Sequence, residues 1–232
     1  MIPALLLLLL DTRAPAGGHS HSGGMEPAIT DGLVRDLADV RRFCLGRLRT
    51  SGRVSAGAAA HACRLAATPD GVPVTGLSGA AWEWLALDDE VSARIASLAA
   101  RTASRQLGSG MRRLLRSSLP AVDLDHPWRL IARPAPHHPL VLGAACALAG
   151  GTPELAARAA ALAIVTASAT AATRLIGLDP YAVQGLLSEL AGDVEEVGAE
   201  AAAADDIPAD CAPGLDLLAD VHSLAEVRLF AS

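Results

Sequence analysis

Aromatic side chains are scarce in this 232-residue chain, at 3% of residues. That removes much of the strand-favouring bulk on which β-cores depend. There is no convincing run of period-two alternation either, so no sheet is predicted. Cysteine is sparse and scattered: Cys44, Cys63, Cys146 and Cys211 form no Cys-x-x-Cys pair. A zinc knuckle and a disulfide scaffold are thereby excluded, and each cysteine reads as a reduced, structurally buried thiol. Positive charge is in deficit, with a formal net charge of −6. No basic stripe is available to displace counterions from phosphates, so nucleic acid is excluded as a partner. Catalytic signatures are missing as well. The chain has no Gly-x-Ser-x-Gly elbow, no His-Glu-x-x-His metal motif and no Gly-x-x-x-x-Gly-Lys-Ser/Thr phosphate loop. An enzyme is not expected, and GTP hydrolysis by this chain is not expected.

Alanine and leucine dominate the 51% of the chain that is hydrophobic. Both are strong helix formers, and their small or compact side chains let backbones approach closely. The predicted fold is all-α: a single-domain bundle of roughly ten helices with Pro/Gly-rich connections, spanning residues 1–232. Residues 2–10 read as a buried opening helix. They lack a preceding positive charge and are too short to span a bilayer, so a cytoplasmic protein without a membrane partner is expected. Residues 25–34 read as a short helix. Leu37, Val40, Phe43, Cys44 and Leu48 recur at helical spacing, and a further apolar stretch covers residues 55–67. Ser78 is placed to cap a helix containing Trp82 and Trp84. Val91, Ile95, Leu98 and Thr102 form one stripe of a helix expected to run on to Leu115. Ser92, Arg94, Ser97, Arg101 and Arg105 face away from that stripe, and Gly108 and Gly110 mark a bend or a close contact. Five prolines punctuate residues 120–139, an ordered connection. Thr152-Pro153-Glu154 and Asp179-Pro180 carry cap-and-proline starts, and Gly177 stands where the intervening helix should stop. Val183, Leu187, Leu190, Val194 and Val197 then keep one helical period.

Residues 11–24 hold four glycines, a proline and an alternating His19-Ser20-His21-Ser22. Such a loop buries little apolar surface for the entropy lost in ordering it, so a flexible loop used against something else is expected. In an extended segment His19 and His21 point to the same side and could share one nickel or zinc ion. Two ligands make an incomplete site, and the competing reading is a hydrogen-bonded loop. His137 and His138 stand at a helix start, diverge by roughly 100°, and suit capping or packing better than chelation. Arg101, Arg105, Arg112, Arg113 and Arg116 read as solvated or stem-packed side chains. The tail, residues 214–232, places Leu215, Leu218, Val221 and Leu224 at near-helical spacing and adds the apolar pair Leu229-Phe230. It could complete the core or lie in a partner's groove.

Several of these residues carry a family resemblance. An apolar run followed by Asp11, Pro15, Gly17-Gly18, His19-Ser20-His21-Ser22, Gly24-Met25-Glu26 and Gly32-Leu33-Val34 resembles the start of the UreF family of urease accessory proteins. Arg228-Leu229-Phe230-Ala231-Ser232 is similar to the Arg-Leu-Phe-x-Ser ending of many members. The family pattern has an aromatic where His19 stands and a tyrosine where His21 stands, so the chain resembles a His-rich branch. The resemblance implies a non-enzymatic homodimer that binds UreD/UreH and the UreG GTPase and engages apo-urease. Nickel would be the delivered metal rather than an intrinsic cofactor, and GTP would be bound by UreG. His21, Arg228, Leu229 and Phe230 are the partner-binding residues it implies. Two other expectations stand beside it: a free-standing nickel chaperone using His19 and His21, and a generic helical interaction protein.

Overall fold

Helix starts in this chain follow side-chain chemistry. Asp36 accepts from the Asp39 N–H at 2.9 Å, Thr152 Oγ1 from the Leu155 N–H at 3.3 Å, and Asp179 from the Tyr181 N–H at 3.1 Å. Each satisfies one of the N–H groups that a helix start leaves without an intrahelical partner. Pro153 and Pro180 occupy first-turn positions, where a missing N–H costs nothing.

The structure, a computed structural model, describes residues 4–11, 14–16, 20–67, 76–131, 135–226 and 228–230. Its helices are α1 (Ala4–Leu10), α2 (Met25–Thr30), α3 (Leu37–Arg47), α4 (Arg53–Ala66), α5 (Ala81–Arg94) and α6 (Leu98–Ser118). They continue with α7 (His138–Leu148), α8 (Pro153–Ile176), α9 (Pro180–Glu189), α10 (Ala191–Ala203) and α11 (Pro213–Ser223). The described residues form no strand, only an isolated bridge between Gly76 and Asp123. The all-α expectation holds.

Several local expectations do not. The two stretches read as separate, residues 37–48 and 55–67, are one rod: a π-helical turn, Leu48–Gly52, joins α3 directly to α4. The α2 helix stops at Thr30, short of Val34. Ala80, not Ser78, precedes α5; its N–H donates to Glu83 Oε2 at 2.6 Å, while the Ser78 carbonyl accepts from Trp84 Nε1 at 2.9 Å. The stripe from Val91 to Thr102 is broken at residues 95–97. Distant carboxylates explain the break. Asp220 of α11 accepts from Ser97 Oγ at 2.6 Å and from the Ala99 N–H at 3.1 Å, and Asp216 accepts from the Ser97 N–H at 3.2 Å. Those acceptors satisfy the donors of a new helix start, so α6 begins there. Period alone could not reveal them.

Two adjoining apolar clusters make the core. The first gathers Leu6 and Leu9 of α1, Trp84, Trp128, Leu140 and much of α4 and α7. Trp84 and Trp128 meet edge-to-face at 5.7 Å, a favoured aromatic geometry. The second gathers α2, α3, α8, α9 and α10 with Phe230. Opposite faces of α4 and α8 serve both: Ala59 and Ala62 lie in the first cluster and Ala56 and Ala60 in the second. Gly108 and Gly110 mark close contacts, one of the two options the sequence left open. A Cβ on Gly108 would sit 2.1 Å from the Pro136 carbonyl oxygen, and one on Gly110 would sit 2.2 Å from that of Ala16. Cys44, Cys63 and Cys146 are buried as expected, whereas Cys211 is exposed.

The α8 helix is, among the described residues, long and apolar enough to cross a membrane by length and composition. It packs on α2, α3, α4, α7, α9 and α10, which makes it a shared core helix of the bundle.

Candidate partner-docking site

The two chain segments that carry the sequence resemblance meet in space. Glu26, in the first turn of α2, points its buried carboxylate at the C-terminal tail. Its Oε1 accepts from the Leu229 N–H at 2.8 Å and its Oε2 from the Phe230 N–H at 2.9 Å. His222 of α11 places Nε2 3.3 Å from the same Oε2 and 3.4 Å from the Phe230 carbonyl oxygen. A buried carboxylate needs such partners, and hydrogen bonds to an ionised acceptor are the stronger kind. Ser22 Oγ accepts from the Glu26 N–H at 3.2 Å, which ties the loop before α2 into the same knot.

The clasp sorts the tail residues by direction. Phe230 is buried in the second cluster, and Leu229 and Arg228 are exposed. The two apolar neighbours thus part, Phe230 anchored and Leu229 presented. Leu229 stands outward along with Leu217 and Val221 of α11 and Leu224 just past its end. An apolar groove of about 630 Å³ lies between α11 and the α2–α3 region, with Leu33, Phe43, Leu217, Leu218 and Val221 on its walls.

His21 is buried in the fold, with 8% of its surface exposed, so its imidazole is not displayed as a loop tip. It shares a second cavity with His138 and Arg47. Burial holds the His21 imidazole below its ordinary pKa. Burial, and then the proximity of His21, brings His138 down to about 4. Both rings are therefore neutral at pH 7. His19 lies outside the described residues, so the His19/His21 pair is not placed. Among the described residues no group of three or more His, Cys, Asp or Glu side chains is gathered to hold a metal ion.

The sequence reading missed a buried polar knot between α5, α6 and the start of α7. Arg105 was expected to face away from the core; it is buried instead. It meets Asp88 with two bonds, Nη1 to Oδ1 at 3.2 Å and Nη2 to Oδ2 at 2.7 Å. Further bonds run from Arg105 to the Ala135 carbonyl at 2.8 Å and to Ser92 Oγ at 3.0 Å. The His137 N–H donates to Asp88 Oδ1 at 3.1 Å, and its ring lies between Ser92 Oγ at 2.9 Å and Ser104 Oγ at 3.0 Å. His137 thus packs rather than chelates, as its position implied. Arg101 donates to the Ile95 carbonyl, and Arg112 and Arg116 pair with Asp125.

The chain is similar to known proteins over nearly its full length. The UreF family model matches residues 34–191. The chain is 43% identical over 230 residues to the urease accessory protein UreF of Mycobacterium sp. (strain JLS), covering 98% of this chain and 97% of that protein. It is 42% identical over 229 residues to the UreF of Mycobacterium marinum, covering 99% and 98%. Against the UreF of Mycobacterium bovis (strain BCG / Pasteur 1173P2) the identity is 38% over 232 residues, again covering 99% and 98%.

Proposed function

The chain belongs to the UreF family of urease accessory proteins, and from that premise we propose that it serves GTP-dependent nickel insertion into urease as a scaffold and regulator. It is an accessory protein and not an enzyme. In this reading it holds UreD/UreH on one side and the UreG GTPase on the other, as a homodimer in the cytoplasm, and engages apo-urease. Nickel is cargo, and GTP stays on UreG. The chain contributes binding free energy that favours the partner arrangement able to transfer metal.

The observation that carries this reading is the Glu26 clasp. It holds the backbone of Leu229 and Phe230, with Phe230 as the internal anchor and Arg228 and Leu229 exposed, while Leu217 and Val221, exposed on α11, line an apolar groove. A charged group next to an exposed leucine suits a protein partner's surface. The double variant Arg228→Ala/Leu229→Asp tests it, because both side chains are exposed and their loss should leave the melting temperature nearly unchanged. Co-expressed with the other accessory proteins and apo-urease, the variant is expected to lose the complex and urease activation together. Full activation by the variant would overturn the assigned docking surface. Full activation in cells lacking the chain would overturn the role itself.

A further inference from the structure

Arg47, near the end of α3, carries a positive charge that the fold does not answer. Most other buried or half-buried guanidiniums have a carboxylate: Arg105 has Asp88, Arg53 has Asp210 and Glu200, and Arg94 has Glu90. Arg47 donates from Nη1 to Ser168 Oγ at 2.7 Å, and no aspartate or glutamate among the described residues pairs with it. A guanidinium has five N–H donors, so one serine hydroxyl leaves most of them unused. Withdrawing a charge from water without a counter-charge is costly. Here burial brings the Arg47 pKa down to about 10, which still leaves it protonated at pH 7.

The surroundings shape a binding site. Gly23 lies directly over the guanidinium in a left-handed conformation, φ 63°, and a Cβ there would sit 1.9 Å from Arg47 Nη1. One side of the group is closed by that backbone, and another opens into a cavity of about 500 Å³. Most of the lining is apolar, with Leu107 and Met111 of α6, Leu142 of α7 and Ala163 of α8. Three carboxylates stand on the lining, Asp11, Asp210 and Asp216, and none of them pairs with Arg47; Asp210 is held by Arg53 and Asp216 accepts from the Ser97 N–H. His21 and His138 add neutral polar edges. The volume falls within the range of ordinary small-molecule pockets, roughly 300–1,000 Å³.

We propose that this cavity binds a small organic monocarboxylate, its head on the Arg47 guanidinium and its apolar body against the α6, α7 and α8 walls. The planar fork of arginine matches a carboxylate with two parallel hydrogen bonds. Arg94 on the same lining is paired with Glu90 and Arg174 is exposed, so the Arg47 guanidinium is the half-buried positive charge left for one carboxylate head. The apolar walls select a hydrocarbon body over a bare inorganic anion. The cavity borders the docking groove, since Arg47 lines both and Phe230 lines the cavity, but ligand binding by the purified chain and assembly with partners are read separately, so either can fail without the other.

Calorimetric titration of the purified full-length chain with octanoate tests the proposal. Saturable binding at one per chain is expected, weakened at least about tenfold in Arg47→Met. The Ser168→Ala variant, which keeps the guanidinium, should still bind. 1-Octanol should bind wild type and Arg47→Met alike, and inorganic phosphate should bind far more weakly than octanoate. If circular dichroism shows that Arg47→Met does not fold, Ala163→Leu, which fills the apolar wall and leaves Arg47 in place, must lose octanoate. Failure of octanoate to saturate, equal affinity in folded Arg47→Met, retained affinity in Ala163→Leu, or phosphate matching octanoate would each overturn the site.

Discussion

Arg105 and Arg47 carry the same group in two regions of the molecule, and the fold treats them in opposite ways. At the junction of α5, α6 and α7 the guanidinium of Arg105 meets a carboxylate, a carbonyl and a hydroxyl, all from the chain itself. Between α3 and α8 the guanidinium of Arg47 meets one serine and then a cavity. A closed network fixes helix geometry and leaves nothing to offer. An open one leaves unsatisfied donors where another molecule can reach them. Internal satisfaction is therefore a guide to which buried charges build the fold and which are left for chemistry.

Removing Asp88 should produce the largest effect. Asp88→Ala strands the Arg105 charge and the His137 N–H, so a stability loss of about 3–5 kcal/mol is expected by chemical denaturation. The paired change Asp88→Leu/Arg105→Met should recover much of it. If the single variant cost no more than a surface substitution, the contrast with Arg47 would collapse. Next comes Glu26→Gln, which weakens bonds to two backbone N–H groups; about 2 kcal/mol is expected. Faster amide exchange at Leu229 and Phe230 would show that the tail is what loosens.

A smaller effect depends on pH. The folded pKa of His138, about 4, lies below its ordinary 6.5. Between those values the unfolded chain takes up a proton that the folded chain does not. The stability is thus complete above pH 6.5 and is lost as pH falls toward 4. His138→Gln should flatten the decline by about 1–2 kcal/mol, allowing for partial exposure. An unchanged slope would show that the imidazole is not held neutral by its surroundings. Arg47→Met should change stability least, by about 1 kcal/mol or less and in the stabilising direction, since it removes an unanswered charge. A loss comparable to Asp88→Ala would mean that the two arginines do the same work.

What could be read from the sequence was local. Thr152-Pro153, Asp179-Pro180 and Gly177 set real helix limits because caps, first-turn prolines and left-handed stops act within a few residues. What escaped was the action of distant groups. The break before α6 depends on Asp216 and Asp220, far along the chain. Arg105 looked like a surface residue because its period was judged without Asp88 or the Ala135 carbonyl. The late helix read as one period is divided at Leu190 into α9 and α10, although Leu190 keeps right-handed helical angles and the apolar spacing continues. For the docking site, Arg228 drew notice through resemblance alone, whereas Leu229 and Phe230 also stood out as an apolar pair. The partner that orients them, Glu26, stands 203 positions before Leu229.

The wide turn between α3 and α4 has a consequence for insertions and deletions. A π turn holds one more residue than an α turn, and each residue of an α-helix advances the face by about 100°. The surplus residue sets the angular phase at which α4 leaves α3. In that phase Val40 and Cys44 meet one hydrophobic cluster while Ala59 and Ala62, further along the same rod, meet the other. Point changes at the exposed side chains of this turn should be absorbed. Deleting one residue from Leu48–Gly52 would spin the whole of α4 like a gear slipped by a tooth, and both clusters would lose their fit together.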